Sequence, residues 1–258
     1  MTTRRAVVTG ASSGIGEATA RLLRSRGWEV VAVARRAERL QELEAETGAV
    51  AFAADLTVEA DVQALTAWLT ESGPVHALVQ VAGGARGADR VEDGDPDQWR
   101  WMFEANVLSS QRLVSHLLPL LRRAAAADGH ADTLFVTSTA ARTAYQGGAG
   151  YNAAKAGEAM LAQALRLELH GEPIRVTEIA PGLVRTDEFA LRRLGNRDAA
   201  DAVYEGVDAP LVAEDVADVI AYALDAPGHV NLDLVTMRPV AQSAQHLLAR
   251  GPLRARED

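Results

Sequence analysis

With 258 residues and 48% hydrophobic content, the chain holds enough apolar material for one sizeable α/β core. A formal net charge of −9 argues against a nucleic-acid surface, which needs a basic patch. The chain has no cysteine, which excludes disulfides, thiolate catalysis and Cys-ligated zinc, and no metal is expected.

The opening "MTTRR" carries two arginines, but the apolar run behind it stops at Thr9 and Gly10. That run is too short for a signal segment or a membrane span, and no later window approaches the required length. A soluble cytoplasmic protein without a membrane partner is the expectation.

Short β-branched runs then alternate with Ala/Leu/Arg/Glu-rich segments. Strands are predicted at 4–9, 28–34, 49–54, 76–81, 132–138 and 174–180, with a possible seventh at 232–237. Helices are predicted near 14–26, 36–47, 58–71 and 149–171, with a long helical stretch ending about 127. Gly27, Gly48 and Gly171 stand where helix C-caps are expected. Continuous apolar strands between helices indicate a parallel sheet covered on both faces. The expected fold is therefore α/β, a doubly wound Rossmann arrangement of three layers around a seven-stranded parallel sheet. One domain spans 1–250, and the polar tail 251–258 reads as detachable.

The first strand runs into "TGASSGIG", and a helix follows at once. Gly10, Gly14 and Gly16 would leave backbone N–H groups bare beside a helix N-terminus, a cradle for a pyrophosphate. The spacing Gly-x-x-x-Gly-x-Gly differs from the commoner Gly-x-Gly-x-x-Gly. At the tip of the second strand Ala34 offers no carboxylate for a free ribose, whereas Arg35 and Arg36 offer cations for a 2′-phosphate. NADP(H) is therefore the expected cofactor, with Arg36 also readable as a solvated helix start. Asp55 in "AADLT" is placed to accept from an adenine amino group or to cap the next helix, for which Thr57 is the better candidate.

In "YNAAK" a four-residue spacing sets Tyr151 and Lys155 on one helix face. A neighbouring ammonium favours the phenolate, so such a tyrosine can pass a proton to or from a carbonyl oxygen. Ser138 ends the fifth strand at the sheet edge where ligands bind, and reads either as a substrate contact or as a turn serine. Asn106 is a poor helix former inside a helix, so its side chain is expected to have a partner.

"TGASSGIG", "ADLT", "ANVLS", "TS" with thirteen residues to "YNAAK", and "IAPGLVRT" together resemble the short-chain dehydrogenase/reductase family. The likeness runs from Thr9 to about Gln245. It implies that Tyr151 is the acid/base, that Lys155 also binds the nicotinamide ribose, that Ser138 polarises the carbonyl, and that Asn106 holds a water linking Lys155 to solvent. The same resemblance adds Ser12, Ser13, Ile15, Leu56, Ala82 and Gly83 to the cofactor contacts. It places Pro181, Gly182 and Thr186 along the nicotinamide, and it implies a homodimer or homotetramer. The small residues Ala153, Ala154, Ala156, Gly157 and Ala159 would let the subunit helices approach.

The C-terminal run "HVNLDLVTMRPVAQS" resembles the branch that oxidises serine, allo-threonine and other short 3-hydroxy acids with NADP. Such substrates carry a carboxylate, and the segment 183–208, read as a lid, offers Arg185, Arg192 and Arg193. A ketoreductase of secondary metabolism is the alternative, and a sensor that binds the dinucleotide without catalysis is a third reading.

One departure stands out. The family's fourth strand normally ends Asn-Asn-Ala-Gly, and here Gln80 and Val81 replace both asparagines. Stability near strands four and five should fall unless a neighbour supplies the missing bonds.

Overall fold

The computed structural model describes residues 3–186 and 188–255. Seven strands form one sheet: β1 (Arg5–Thr9), β2 (Glu29–Ala34), β3 (Val50–Ala53), β4 (Ala77–Gln80), β5 (Ala131–Val136), β6 (Ile174–Pro181) and, late in the chain, β9 (Leu234–Met237). Their order is β3-β2-β1-β4-β5-β6-β9, and every pair is parallel. The run predicted as a possible seventh strand thus pairs with β6 at the sheet edge.

The residue alternation of β1 explains the layers. Val7 joins Val31 and Leu78 in a core against α3 (Glu59–Ser72), α5 (Ser109–Asp128) and α6 (Ala149–Glu168). Ala6 and Val8 point the other way, toward α1 (Gly14–Ser25), α2 (Ala37–Thr47) and α9 (Ala213–Asp225). Because both faces are covered, the strands carry no polar alternation, the signature of a buried parallel sheet. The order reverses between β1 and β4, so a crevice opens beyond their C-terminal ends. Gly10 and the Ala82–Gly83 turn meet there.

Four expectations need correction. The long helical stretch ending near 127 is not one helix. It begins with α4 (Pro96–Phe103), widens into a π-turn over Glu104–Leu108, and resumes as α5. Gly171 does not cap α6, whose C-cap is Leu169; it serves the turn that follows. Thr57 does not cap α3 either. Val58 occupies that position without a side-chain bond, and Asp61 in the first turn reaches back to the Asp55 amide at 2.8 Å.

The fourth concerns the chain's end. The tail read as detachable begins attached: Gly251 N donates to Gly206 O at 2.6 Å, and Leu253 N to Asp208 Oδ2 at 3.1 Å. Segment 183–208 folds as the short strand β7 (Val184–Arg185), α7 (Phe189–Leu194) and α8 (Arg197–Tyr204). A two-residue strand, β8 (Leu211–Val212), pairs with β7. Among the described residues no helix is long and apolar enough to cross a membrane.

Candidate active site

One cleft of ≈ 1380 Å³ runs along the C-terminal edge of the sheet, and all the predicted site residues line it except Asn106 and Lys155, which lie directly beneath. At its nucleotide end the glycine turn is shaped for close approach. A Cβ on Gly16 would strike the Gly10 carbonyl, and Gly10 itself has φ +67° against the Ala82 amide. Ser13 caps α1 without a side-chain hydrogen bond, so the first helical N–H groups stay open toward the cleft. This empty-handed helix start beside three glycines fits a dinucleotide pyrophosphate. Thr186 closes the turn from above, with its methyl 3.3 Å from the point where a Gly14 Cβ would stand.

Of the two arginines, one differs from expectation. Arg36 is not a solvated helix start. It donates to Ser12 O at 3.0 Å and to Ser12 Oγ, and pairs with Glu188 at 2.6 Å, joining the glycine turn to the segment before α7. Arg35 is half exposed, with its guanidinium 4.0 Å from the Asp55 carboxylate. Asp55 Oδ1 accepts from Thr57 N at 3.0 Å and from Thr57 Oγ1 at 2.7 Å. One Asp55 oxygen thus fixes its own turn while the other faces Arg35 and the cleft.

Thr9 solves the problem posed by Gln80 and Val81. Its hydroxyl oxygen accepts from both Val81 N and Ala82 N at 3.0 Å, so the turn after β4 stays braced without an asparagine. Gln80 is buried and keeps only a 3.4 Å bond to Thr133 Oγ1, with its own oxygen unpartnered. A Cβ on Gly83 would run into the Asn106 amide and reach 3.5 Å from Lys155 Nζ.

At the chemical end the π-turn carries Asn106 inward. Its amide donates to Gly84 O at 2.9 Å and to Met102 O at 2.6 Å, and accepts from Gly84 N at 3.1 Å. The partner expected for this asparagine is therefore backbone. Ser138 is a turn serine, and it also lines the cleft with Tyr151. Its oxygen accepts from Ala140 N at 3.1 Å, holding the turn, and its hydroxyl donates to Pro181 O at 3.4 Å. Behind it, the buried carboxylate of Glu178 binds Thr137 Oγ1 at 2.5 Å and Arg142 at 2.7 and 2.5 Å, fixing the strand end.

Tyr151 is buried, with its ring edge-on to Phe189 at 5.6 Å. Burial pushes its phenol above the ordinary value, and the Lys155 ammonium only partly offsets this. The ammonium acts in the expected direction, and burial outweighs it. Lys155 itself donates to Val136 O at 3.1 Å and to Glu158 Oε2 at 2.6 Å. It is the only lysine in the chain. Burial would drive its ammonium to lose the proton, and the surrounding negative charge, Glu158 first with Tyr151 and Glu178 behind it, outweighs this, so its pKa lies above the usual value.

Sequence reasoning missed Glu158, although a lone acid among small residues three positions past Lys155 was a visible signal. It named Arg193 without preference. The structure sets the Arg193 guanidinium 6.0 Å from the Tyr151 ring centre. It is anchored by Gly87 O at 3.2 Å, Gly147 O at 2.8 Å and Tyr145 Oη at 2.7 Å. Arg192 instead pairs with Glu188 at 2.6 Å, and Arg185 lies over Tyr204.

Residues 4–196 match the profile of the family described as short chain dehydrogenase. An uncharacterized oxidoreductase of Mycobacterium tuberculosis is 49% identical over 251 residues, 97% of each chain. A serine 3-dehydrogenase of Agrobacterium fabrum is 36% identical over 240 residues, 92% of this chain and 94% of the relative. The solved closed form of a serine dehydrogenase complexed with NADP+ superposes with a TM-score of 0.88 at 32% identity, covering 98% of this chain and 100% of that one.

Proposed function

Since the chain belongs to the short chain dehydrogenase family and is an oxidoreductase of that kind, we propose that it moves hydride between NADP(H) and a short 3-hydroxy acid such as serine or allo-threonine. The observation that carries this reading is Arg193, a cation held by three protein acceptors over the ring of Tyr151. Three of its five N–H groups are used, which leaves donors for a substrate carboxylate.

The bound nicotinamide would accept or supply the hydride, resting against Pro181, Gly182 and Thr186. Around it each residue has a role that its surroundings allow. Ser138 and Tyr151 together hold the substrate oxygen, since both hydroxyl-bearing side chains line the same cleft. Tyr151 takes the alcohol proton in oxidation and returns it in reduction. Lys155 spends one donor on Val136 O and one on Glu158, and the third is free for a ribose hydroxyl. Asn106, locked to Gly84 and Met102, stations the π-turn beside Lys155, where a water could lead protons outward. Arg35 supplies a cation for the 2′-phosphate, and Arg36 holds the glycine turn beside it. The two short helices α7 and α8 form the lid, and Phe189 shields the tyrosine from water.

A dimer or tetramer fits the surface of α6, where Ala153, Ala156 and Met160 are exposed beside Phe103, whereas Ala154 and Ala159 are used in the chain's own core.

The test is turnover of NADP+ with serine, allo-threonine and other 3-hydroxy acids, beside a panel of uncharged alcohols. Preference for the acids supports the reading, and preference for uncharged ketones would replace it with a ketoreductase. Tyr151→Phe should abolish turnover while leaving cofactor affinity unchanged. No turnover despite tight NADPH binding would make the chain a dinucleotide sensor.

A further inference from the structure

Two buried carboxylates stand near the lysine, and only one has an arginine. Glu178 on β6 is paired with Arg142 through two hydrogen bonds. Glu158 on α6 is 0% exposed, and its partners are Lys155 Nζ at 2.6 Å and Ser110 Oγ at 3.2 Å from the facing helix α5. A surface pair three residues apart on a helix contributes little. Here both charges are out of water, so deleting one strands the other. An apolar side chain would fill the same helix position without any desolvation cost. The acid is therefore conspicuous, and the ion it serves is the one that touches the reaction.

The charged and titratable groups facing Lys155 are few. Tyr151 and Glu158 come from its own helix, and Glu178, already neutralised by Arg142, comes from β6. Ser110 supplies only a hydroxyl.

We propose that Glu158 is a positioning residue for catalysis, the counter-ion that keeps Lys155 protonated and aimed between Val136 and the cofactor side of the cleft. This rests on the oxidoreductase reading for its kinetic consequence, but not for its physical content. Without the carboxylate, a fully buried ammonium loses its proton more readily. A neutral lysine cannot favour the tyrosine phenolate, so alcohol oxidation would fail at the alkaline end. The pairing also tempers the field that the ammonium exerts on Tyr151, which agrees with a phenol held above its usual range.

Because the chain has a single lysine, protein labelled with 13Cε-lysine gives one side-chain signal, and that signal is Lys155. Its pH titration should have a midpoint at least about one unit lower in Glu158→Gln than in the wild type. Glu158→Val is the second variant, with the same expected direction, and circular dichroism verifies that each is folded. In the alkaline limb of kcat for oxidation, Glu158→Gln should move down by the same interval, with KM for the alcohol little changed. An unchanged or higher midpoint in a folded variant overturns the proposal, even if thermal stability drops, since that pattern marks a packing role alone. A wild type without turnover would defeat the enzyme reading, and the NMR titration would still decide the role of Glu158.

Discussion

Thr9 and Ala82 lie 73 positions apart and share a 3.0 Å hydrogen bond that ties the end of β1 to the turn after β4. The same hydroxyl oxygen also accepts the Val81 amide, so one side chain satisfies two N–H groups at the mouth of the crevice. Thr9→Val keeps the shape and removes the acceptor. The expected loss is about 1–3 kcal/mol in urea unfolding, together with weaker cofactor binding. Thr9→Ser should recover most of both, and a Thr9→Val protein as stable as the wild type would show that the brace lies elsewhere.

Gln80 offers the opposite case. Its bond to Thr133 is long, and its oxygen has no partner, so the amide contributes little. Gln80→Leu should therefore change stability by less than about 1 kcal/mol in either direction. A loss of several times that size would mean that the amide is satisfied by something unseen, such as a buried water.

Cofactor choice should divide between the two arginines. Arg35→Ala removes a cation that makes no hydrogen bond of its own to the fold, and should weaken NADPH by about 10- to 100-fold while sparing NADH. Arg36→Ala releases Ser12 and Glu188 as well, so both cofactors should bind more weakly. Isothermal titration with each dinucleotide distinguishes the patterns, and equal losses for Arg35→Ala would overturn the NADP assignment.

The pH profile follows from the state of Tyr151. Burial raises its phenol above the usual value, so the proton stays on through neutral pH and leaves only in the alkaline range. With Tyr151 as the proposed acid, kcat for ketone reduction should be flat between roughly pH 6 and 8. With its phenolate as the proposed base, kcat for oxidation should climb throughout the same interval. A reduction rate that already falls at neutral pH would contradict the raised value.

Substrate charge should be read by Arg193. Arg193→Met should raise KM for 3-hydroxy acids by about 10- to 100-fold. Uncharged alcohols serve as the control, because loosening of Gly87 and Gly147 would affect them equally. A uniform loss across both classes would assign Arg193 to the scaffold.

Much of this architecture could be read from the chain because its causes are local. Val7 and Val8 show a two-sided strand, and the glycines of the first turn answer a steric demand within a few residues of themselves. Tyr151 and Lys155 share a helix face by spacing alone. The parts that escaped depend on partners far along the chain. Thr9 serves amides on another strand, Ser110 meets Glu158 across 48 residues, and Arg36 reaches Glu188 across 152. The π-turn escaped for a different reason: its extra residue leaves the apolar periodicity of the flanking helices almost intact, so 96–128 reads as one uninterrupted stretch.

The burial of a lone lysine inside α6 also gives the chain an unusual behaviour toward proteases. A lysine-specific endoprotease has one address on it, the peptide bond after Lys155, and that bond is enclosed in helix beneath the catalytic cleft. Cutting requires the helix to open and yields two pieces, residues 1–155 and 156–258. The rate at which the intact band disappears therefore reports how often the catalytic half comes apart. Any dinucleotide or acid that binds only the closed fold must slow that loss in proportion to its occupancy. Ligands can thus be ranked by gel, before a single turnover has been recorded.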